Sequence, residues 1–342
     1  MVCGMSSSNA FKPPAKQGVG ASTVGIPANT LVSALEFLSA KFSAISSDEW
    51  LQRFQDGDIL NAAGRAMSPQ DKLQHETHIH YYRSVRDEPK LPLKAHIIYQ
   101  DAHLLVADKP HFMPVTPSGR YVQQSLLVQL KQQFNLPELS PLHRIDRETA
   151  GLVLFSVRAQ DRNAYQELFR LRQVEKTYEA IAGAPETSMS QLEFPLVHKS
   201  TMAEDTQFFR MRELTHALNP SYEGDVLDQS SVSFNSETWI DCIERFSGNS
   251  AGGPSSGSSL QAFAKYLLKP VTGQRHQLRV HMNALGLPLL GDQFYPVVLR
   301  GPEEADDFQR PLQLLAKTLA FKDPVTGESR IFESRQRLSP PP

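Results

Sequence analysis

The sequence predicts an α+β fold: a mixed, largely antiparallel central sheet flanked by helices and loops, preceded by a small N-terminal module. Three observations predict it. Apolar runs follow one another in hairpin-like succession, as in HIIYQDAHLLVADKP (96–110), where Asp101 and Ala102 form the tight turn. Helical periodicities interrupt these runs without alternating strictly with them, so a doubly wound βαβ sheet is not expected. The chain has 342 residues, 40% of them hydrophobic, enough for one large domain with appendages.

Each element follows from local pattern. Residues 1–28, rich in Ser, Gly, Pro and Ala, are expected to be a disordered tail. Residues 29–90 form the N-terminal module. Leu31, Ala34, Leu35, Leu38, Phe42 and Ile45 recur at helical spacing. Ser46 with Glu49 three residues on is a capping signal for a second helix through Trp50 and Phe54, ending near Gly57. GDILNAAG (57–64) and HIHYYRSV (78–85) read as short strands. Residues 91–340 form the main domain. Its prolines 110, 114 and 117 impose a loop, and Leu126, Leu127, Leu130 and Phe134 mark a helix. Tyr165, Leu168 and Phe169 mark another. KTYEAIAG (176–183), TWIDCIER (238–245), AFAKYLLKP (262–270) and PLQLLAKTLAF (311–321) read as strands. RHQLRVHMNALG (275–286) reads as a helix, and SGNSAGGPSSGSS (247–259) as a flexible surface insertion.

Composition narrows the class. The 35 Lys and Arg against 37 Asp and Glu give a net charge of −2, so nucleic-acid binding would need a local positive patch. The two cysteines, Cys3 and Cys242, are too few for a disulfide scaffold or a zinc site, which suits a reducing compartment. The N-terminal stretch lacks a signal-peptide apolar run, and Leu31–Ile45 is broken by Ser33, Glu36 and Lys41. A cytoplasmic, monomeric protein without membrane contact is expected.

The stretch PLHRIDRETAGLVLFS (141–156) raises the chemical question. Asp146 stands between Arg144 and Arg147, directly before an apolar run that must enter the core. Cations beside it favour the ionised carboxylate, partial burial opposes ionisation, and the result can be a reactive group. A structural ion pair at a strand start is the other reading. A kinase catalytic loop does not fit, because Ile145 separates Arg144 from Asp146 and no glycine-rich phosphate loop precedes it. His143, His276 and His281 lack metal-site spacing, and HIHYYR reads as a plain strand.

Distant segments complete the pattern. Lys176 and Tyr178 share one strand face. Arg275 and Arg279 are four apart, which on a helix places both on one face. Together with LLVADKPHFMPVTPSG, these segments resemble the RluA-type RNA pseudouridine synthases. That family's His-Arg-Leu-Asp-Arg-x-Thr-Ser-Gly-Leu stands here as His143 to Leu152, with Ile145 for Leu and Ala150 for Ser. A Lys-x-Tyr strand follows at Lys176–Tyr178. Thr272 to His281 matches Thr-Gly-Arg-x-His-Gln-Ile-Arg-x-His, although Gln274 and Arg275 displace its first arginine by one. GLPLLGDQFY matches Gly-x-Pro-Ile-x-Gly-Asp-x-x-Tyr.

The resemblance, over about 95–335, implies isomerisation of a uridine in ribosomal or transfer RNA, with no cofactor or metal. It implies that Asp146 is the catalytic nucleophile or base. Tyr178 lies beside the target base, Arg279 pairs with the aspartate, and Arg144 contacts RNA or fills the space left by the extruded base. Arg147, Lys176, Arg275 and His276 are the further expected RNA contacts. The resemblance leaves two readings of the N-terminal module: a divergent RNA-binding domain, in which Arg53 stands nearly alone where such domains carry a basic helix, or an unrelated cap on the synthase sheet. A glycosidic-bond hydrolase needs a second carboxylate as general acid, which no motif supplies in an obvious place. A non-catalytic RNA-binding protein is disfavoured by the intact Asp146, Tyr178 and Arg279.

Overall fold

The computed structural model describes residues 11–83, 88–185, 192–206, 209–214, 233–249, 260–301 and 304–339. The chain forms two compact units, Met1–Lys90 with Thr116–Pro137, and Leu91–Val115 with Glu138–Pro342.

The first unit is a three-stranded antiparallel sheet with three helices. Strands β1 (Ser22–Gly25) and β2 (Ile59–Asn61) flank β3 (His78–Tyr81). Helix α1 (Ala34–Lys41) starts at a capping box, in which the Ser33 hydroxyl accepts from Glu36 N–H and the Glu36 side chain accepts from Ser33 N–H. Helix α2 (Ser47–Gln55) is capped by Ser46, as its spacing to Glu49 predicts. Ala34, Leu38, Trp50, Phe54, Ile59 and Ile79 make one core, with Trp50 fully buried. Helix α3 (Leu126–Phe134) belongs to this unit. The Glu88 carboxylate accepts from the backbone N–H of Val122, Gln123 and Gln124 just ahead of that helix. The expected tail over 1–28 is corrected within its described part. Residues 22–25 are a paired strand, Tyr82 donates to Pro14 O, and Val19 packs with Val122 and Val128. The module also takes in 116–137, beyond the expected limit at residue 90.

The second unit is built on an eleven-stranded sheet. Its strands are β4 (His96–Gln100), β5 (Leu104–Lys109), β6 (Ser140–Pro141), β7 (Ala150–Ser156), β8 (Glu175–Gly183), β9 (Leu196–Glu204), β10 (Met211–Leu214), β11 (Ser236–Asn249), β12 (Leu260–Pro270), β13 (Leu314–Lys322) and β14 (Ser329–Glu333). The order is β10-β9-β11-β12-β8-β13-β7-β5-β4, with β14 on β13 and β6 on β7. Only the β13–β7 pairing is parallel among the described strands, so the sheet is mixed and largely antiparallel. Helices α4 (Arg162–Arg170) and α5 (Gln277–Ala284) pack on it. Tyr165 and Leu168 of α4 join the core of β5, β7 and β13, and Leu278 and Met282 of α5 join that of β8 and β12.

Every residue of β5 and β7 is buried, which explains the apolar run of β7 and of the first four residues of β5, LLVA. Gly151 on β7 lies opposite Ala316 on β13 at φ 112°, and a Cβ there would fall 2.2 Å from the Ala316 carbonyl oxygen. Ala316 in turn pairs with Tyr178 on β8. The expected insertion over 247–259 lies outside the described residues except for 247–249, which end β11.

Candidate active site

Asp146 sits on the loop between β6 and β7, and that loop is fastened along its length. Leu142 N–H donates to Leu154 O, and Leu154 N–H donates to His143 Nε2. The His143 ring stacks on Phe169 at 4.7 Å. Burial, with Lys176 nearby, lowers the His143 pKa to about 3, so the ring is a neutral acceptor. Past Asp146, Lys109 Nζ donates to Arg147 O at 3.1 Å and to Pro110 O, while His111 Nδ1–H donates to Glu148 O at 2.7 Å. Thr149 N–H donates back to Asp146 O. A short charged loop held this way presents one carboxylate in one place, which is what preorganised chemistry requires.

The side chain of Asp146 is 25% exposed, and the guanidinium beside it is not exposed at all. Arg279 Nη1 lies 3.5 Å from Asp146 Oδ2 and 3.8 Å from Glu148 Oε2. The other edge of Arg279 is bidentate on Asp292, with Nε at 2.8 Å and Nη2 at 2.6 Å. Asp292 also accepts from the N–H groups of Phe294 and Tyr295, whose rings lie under the guanidinium at 5.0 and 5.4 Å. Gly291 at φ 75° makes the turn that aims Asp292, in a space where a Cβ would fall 2.3 Å from Pro311 O. Burial works against the charged form of Arg279, but Asp292, Asp146 and Glu148 outweigh it and raise its pKa. Burial likewise works to raise the Glu148 pKa, yet Arg279 and Arg147 hold it below the usual carboxylate range.

Tyr178 reaches the same place from β8. Burial, and then the Asp146 charge, push its phenol pKa up, which keeps the hydroxyl protonated at neutral pH. That hydroxyl makes no hydrogen bond among the described residues. Lys109, fully buried at the end of β5, is driven down to about 7 by desolvation, against the pull of Glu148 and Asp146.

The residues expected at RNA separate into different situations. Arg144 is exposed and makes no ion pair among the described residues. Lys176 is half-buried and donates to Thr272 O at 3.3 Å. His276 takes a left-handed conformation at φ 55° and caps α5, its ring stacked at 7° to Phe294. Its Nδ1 bonds to Tyr295 Oη at 3.0 Å; since Tyr295 donates to Met211 O, His276 is the donor there.

One expectation needs correction. Arg275 does not share a helical face with Arg279, because α5 begins only at Gln277; Arg275 pairs instead with Glu204 at 3.6 Å. Arg147 has both edges on carboxylates, two bonds to Asp306 and one to Glu148, so much of its donor capacity is already used. Lys109, Glu148 and Asp292 were not singled out from sequence as site residues. A lysine closing the strand LLVADK, and an acid two residues beyond Asp146, are the available signals.

Among the described residues no group of three or more His, Cys, Asp or Glu is placed to hold a metal ion. No helix among them is long and apolar enough to cross a membrane.

Residues 103–284 match the model of the RNA pseudouridylate synthase family. The dual-specificity RNA pseudouridine synthase RluA of Haemophilus influenzae is 30% identical over 250 residues, covering 72% of this chain and 95% of that protein. The chain belongs to the RluA-type RNA pseudouridine synthase family. The synthase is therefore an isomerase acting on RNA. An uncharacterized RNA pseudouridine synthase of Synechocystis is 27% identical, covering 76% of the synthase and 78% of its relative. The human RNA pseudouridylate synthase domain containing 1 shares the fold, with a TM-score of 0.52, 23% identity, and coverage of 73% of the synthase and 86% of that chain.

Proposed function

We propose that this synthase isomerises a defined uridine in ribosomal or transfer RNA, with Asp146 as the catalytic carboxylate. The observation that carries the reading is the pairing of a quarter-exposed Asp146 with a fully buried Arg279 at 3.5 Å, with Tyr178 inside the field of that aspartate.

Isomerisation breaks the N-glycosidic bond, turns the base and forms a carbon–carbon bond, so atoms and electrons are conserved within the nucleotide. The uridine must leave its stack to reach Asp146, at a cost of roughly a few kcal/mol. Arg144, free at the rim, would recover part of that cost on phosphate, and His276 and Lys176 would line the approach. Asp146 attacks the ribose or base, or removes a sugar proton. Tyr178, protonated at neutral pH, stands ready to exchange a proton once the base has moved. Hydrolysis is disfavoured by Glu148: this second carboxylate beside Arg279 is held ionised by two arginines, which unfits it as a general acid.

The test is incubation with ribosomal and transfer RNA transcripts, followed by pseudouridine mapping and RNA mass measurement. One or a few uridines should convert with RNA mass unchanged, and Asp146→Asn should lower the rate by at least about 10²-fold while binding stays within a few-fold. Undiminished conversion by Asp146→Asn would remove Asp146 from the chemistry. Release of free uracil would replace isomerisation with hydrolysis.

A further inference from the structure

The HIHYYR stretch is not used by the reaction above. His78 and His80 lie on one face of β3, opposite the core residue Ile79. Their Nε2 atoms are 3.2 Å apart, with ring planes at 79°. Each ring is also held from behind: His78 Nδ1 is 2.9 Å from Thr77 Oγ1, and His80 Nδ1 is 2.8 Å from Thr23 Oγ1. Thr23 is the cross-strand partner of His80 on β1. His80 is 5% exposed beneath the Phe11 ring, while His78 is half-buried and gives access from solvent.

We propose that His78 and His80 form a two-imidazole chelate for a borderline divalent transition metal such as Cu²⁺, Ni²⁺ or Zn²⁺, with water completing its coordination. Two nitrogens on one zinc at ~2.0–2.1 Å and a tetrahedral angle stand roughly 3.3 Å apart. The observed separation of 3.2 Å matches that bite. Metal-binding histidines commonly give their second ring N–H to an acceptor, and the two threonine hydroxyls fill that role. In the metal-free form one Nε2–H donates to the other Nε2, and the donating ring accepts at Nδ1 from its threonine. Metal binding shifts that proton from Nε2 to Nδ1 of the same ring, and the threonine turns from donor to acceptor. No net proton is released. With only two protein ligands the site is exchangeable, and imidazole selects copper, nickel or zinc over magnesium.

The test uses the full chain, stripped with a chelator and titrated calorimetrically with copper, nickel, zinc and magnesium chlorides. One equivalent of Cu²⁺ should bind, more tightly than Ni²⁺ or Zn²⁺, with no Mg²⁺ event. His78→Gln and His80→Gln should each abolish the event, His75→Gln should leave it, and Thr23→Val should weaken it about tenfold. Copper spin-resonance spectra should show two nitrogen ligands in the native chain and no copper held at this site in either variant. Copper binding that persists unchanged in His78→Gln, or equal binding of magnesium, overturns the proposal. If His80→Gln fails to fold, the half-exposed His78→Gln decides alone.

Discussion

Arg279 Nη1 is buried 3.5 Å from Asp146 Oδ2 and makes no hydrogen bond among the described residues, while the opposite edge of the same guanidinium is locked onto Asp292. The side chain is thus anchored at one end and leaves an unspent donor facing the Asp146 carboxylate. Arg279→Met would strand Asp292 as a buried charge. It should lower unfolding free energy by about 3–5 kcal/mol, read from urea denaturation. Asp292→Asn should lower activity without touching substrate, because Arg279 would lose its anchor.

Tyr178→Phe separates chemistry from folding. Its hydroxyl has no hydrogen-bond partner among the described residues, so stability should stay within about 0.5 kcal/mol of the native chain. If the phenol exchanges a proton during the reaction, single-turnover pseudouridine formation should fall by at least about 10²-fold. Full activity in the variant would assign Tyr178 to packing alone.

Gly151→Ala tests the close strand approach. The backbone there has φ 112°, and the new methyl would meet Ala316 O at 2.2 Å. Strain of about 1–3 kcal/mol from the dihedral alone, plus the clash, should lower the thermal midpoint. Activity should fall with it, since Asp146 lies on the loop that enters this strand.

Acid should expose the buried histidines. His143 and His281 have folded-state pKa values near 3 against an ordinary value of 6.5, mainly through burial. The unfolded chain therefore binds more protons between those limits, so this stabilisation is present above about pH 6.5 and drains away as pH falls toward 3. His281 bonds to Thr238, Ser236 and Ser200, so its protonation also breaks a buried network. The loss of urea midpoint between pH 7 and pH 4.5 should be shallower in His281→Gln than in the native chain.

Salt should distinguish Arg144 from Arg147. Arg144→Ala should weaken RNA binding and reduce the slope of log affinity against log salt by about 1. Arg147→Gln should leave that slope nearly unchanged and lower stability, because Asp306, 1% exposed, loses a partner.

The motif residues and most strands are legible in the sequence, because a buried strand such as Ala150–Ser156 reads as a nearly continuous apolar run. Strands β9, β10 and β14 escape that reading. β9 mixes half-buried and exposed positions, β10 has four residues, and β14 buries only Phe332. Asp146, Tyr178 and Arg279 are recognisable as a set only through their motifs. The support around them is tertiary: no spacing connects Lys109 to the Arg147 carbonyl, or Asp292 to Arg279. Arg275 misleads for a local reason, since His276 adopts a left-handed backbone that delays the helix.

The chain leaves its first unit at Lys90 and returns to it for Thr116–Pro137. The N-terminal unit is therefore not a cassette that recombination can add or remove at a single junction. A shortened chain beginning at Leu91 would keep α3 but lose Glu88 from the N–H groups ahead of it, and would strip Val19 from Val122 and Val128. Exchange of this unit among relatives would have to carry two separated gene segments at once, so its inheritance is tied to that of the catalytic sheet.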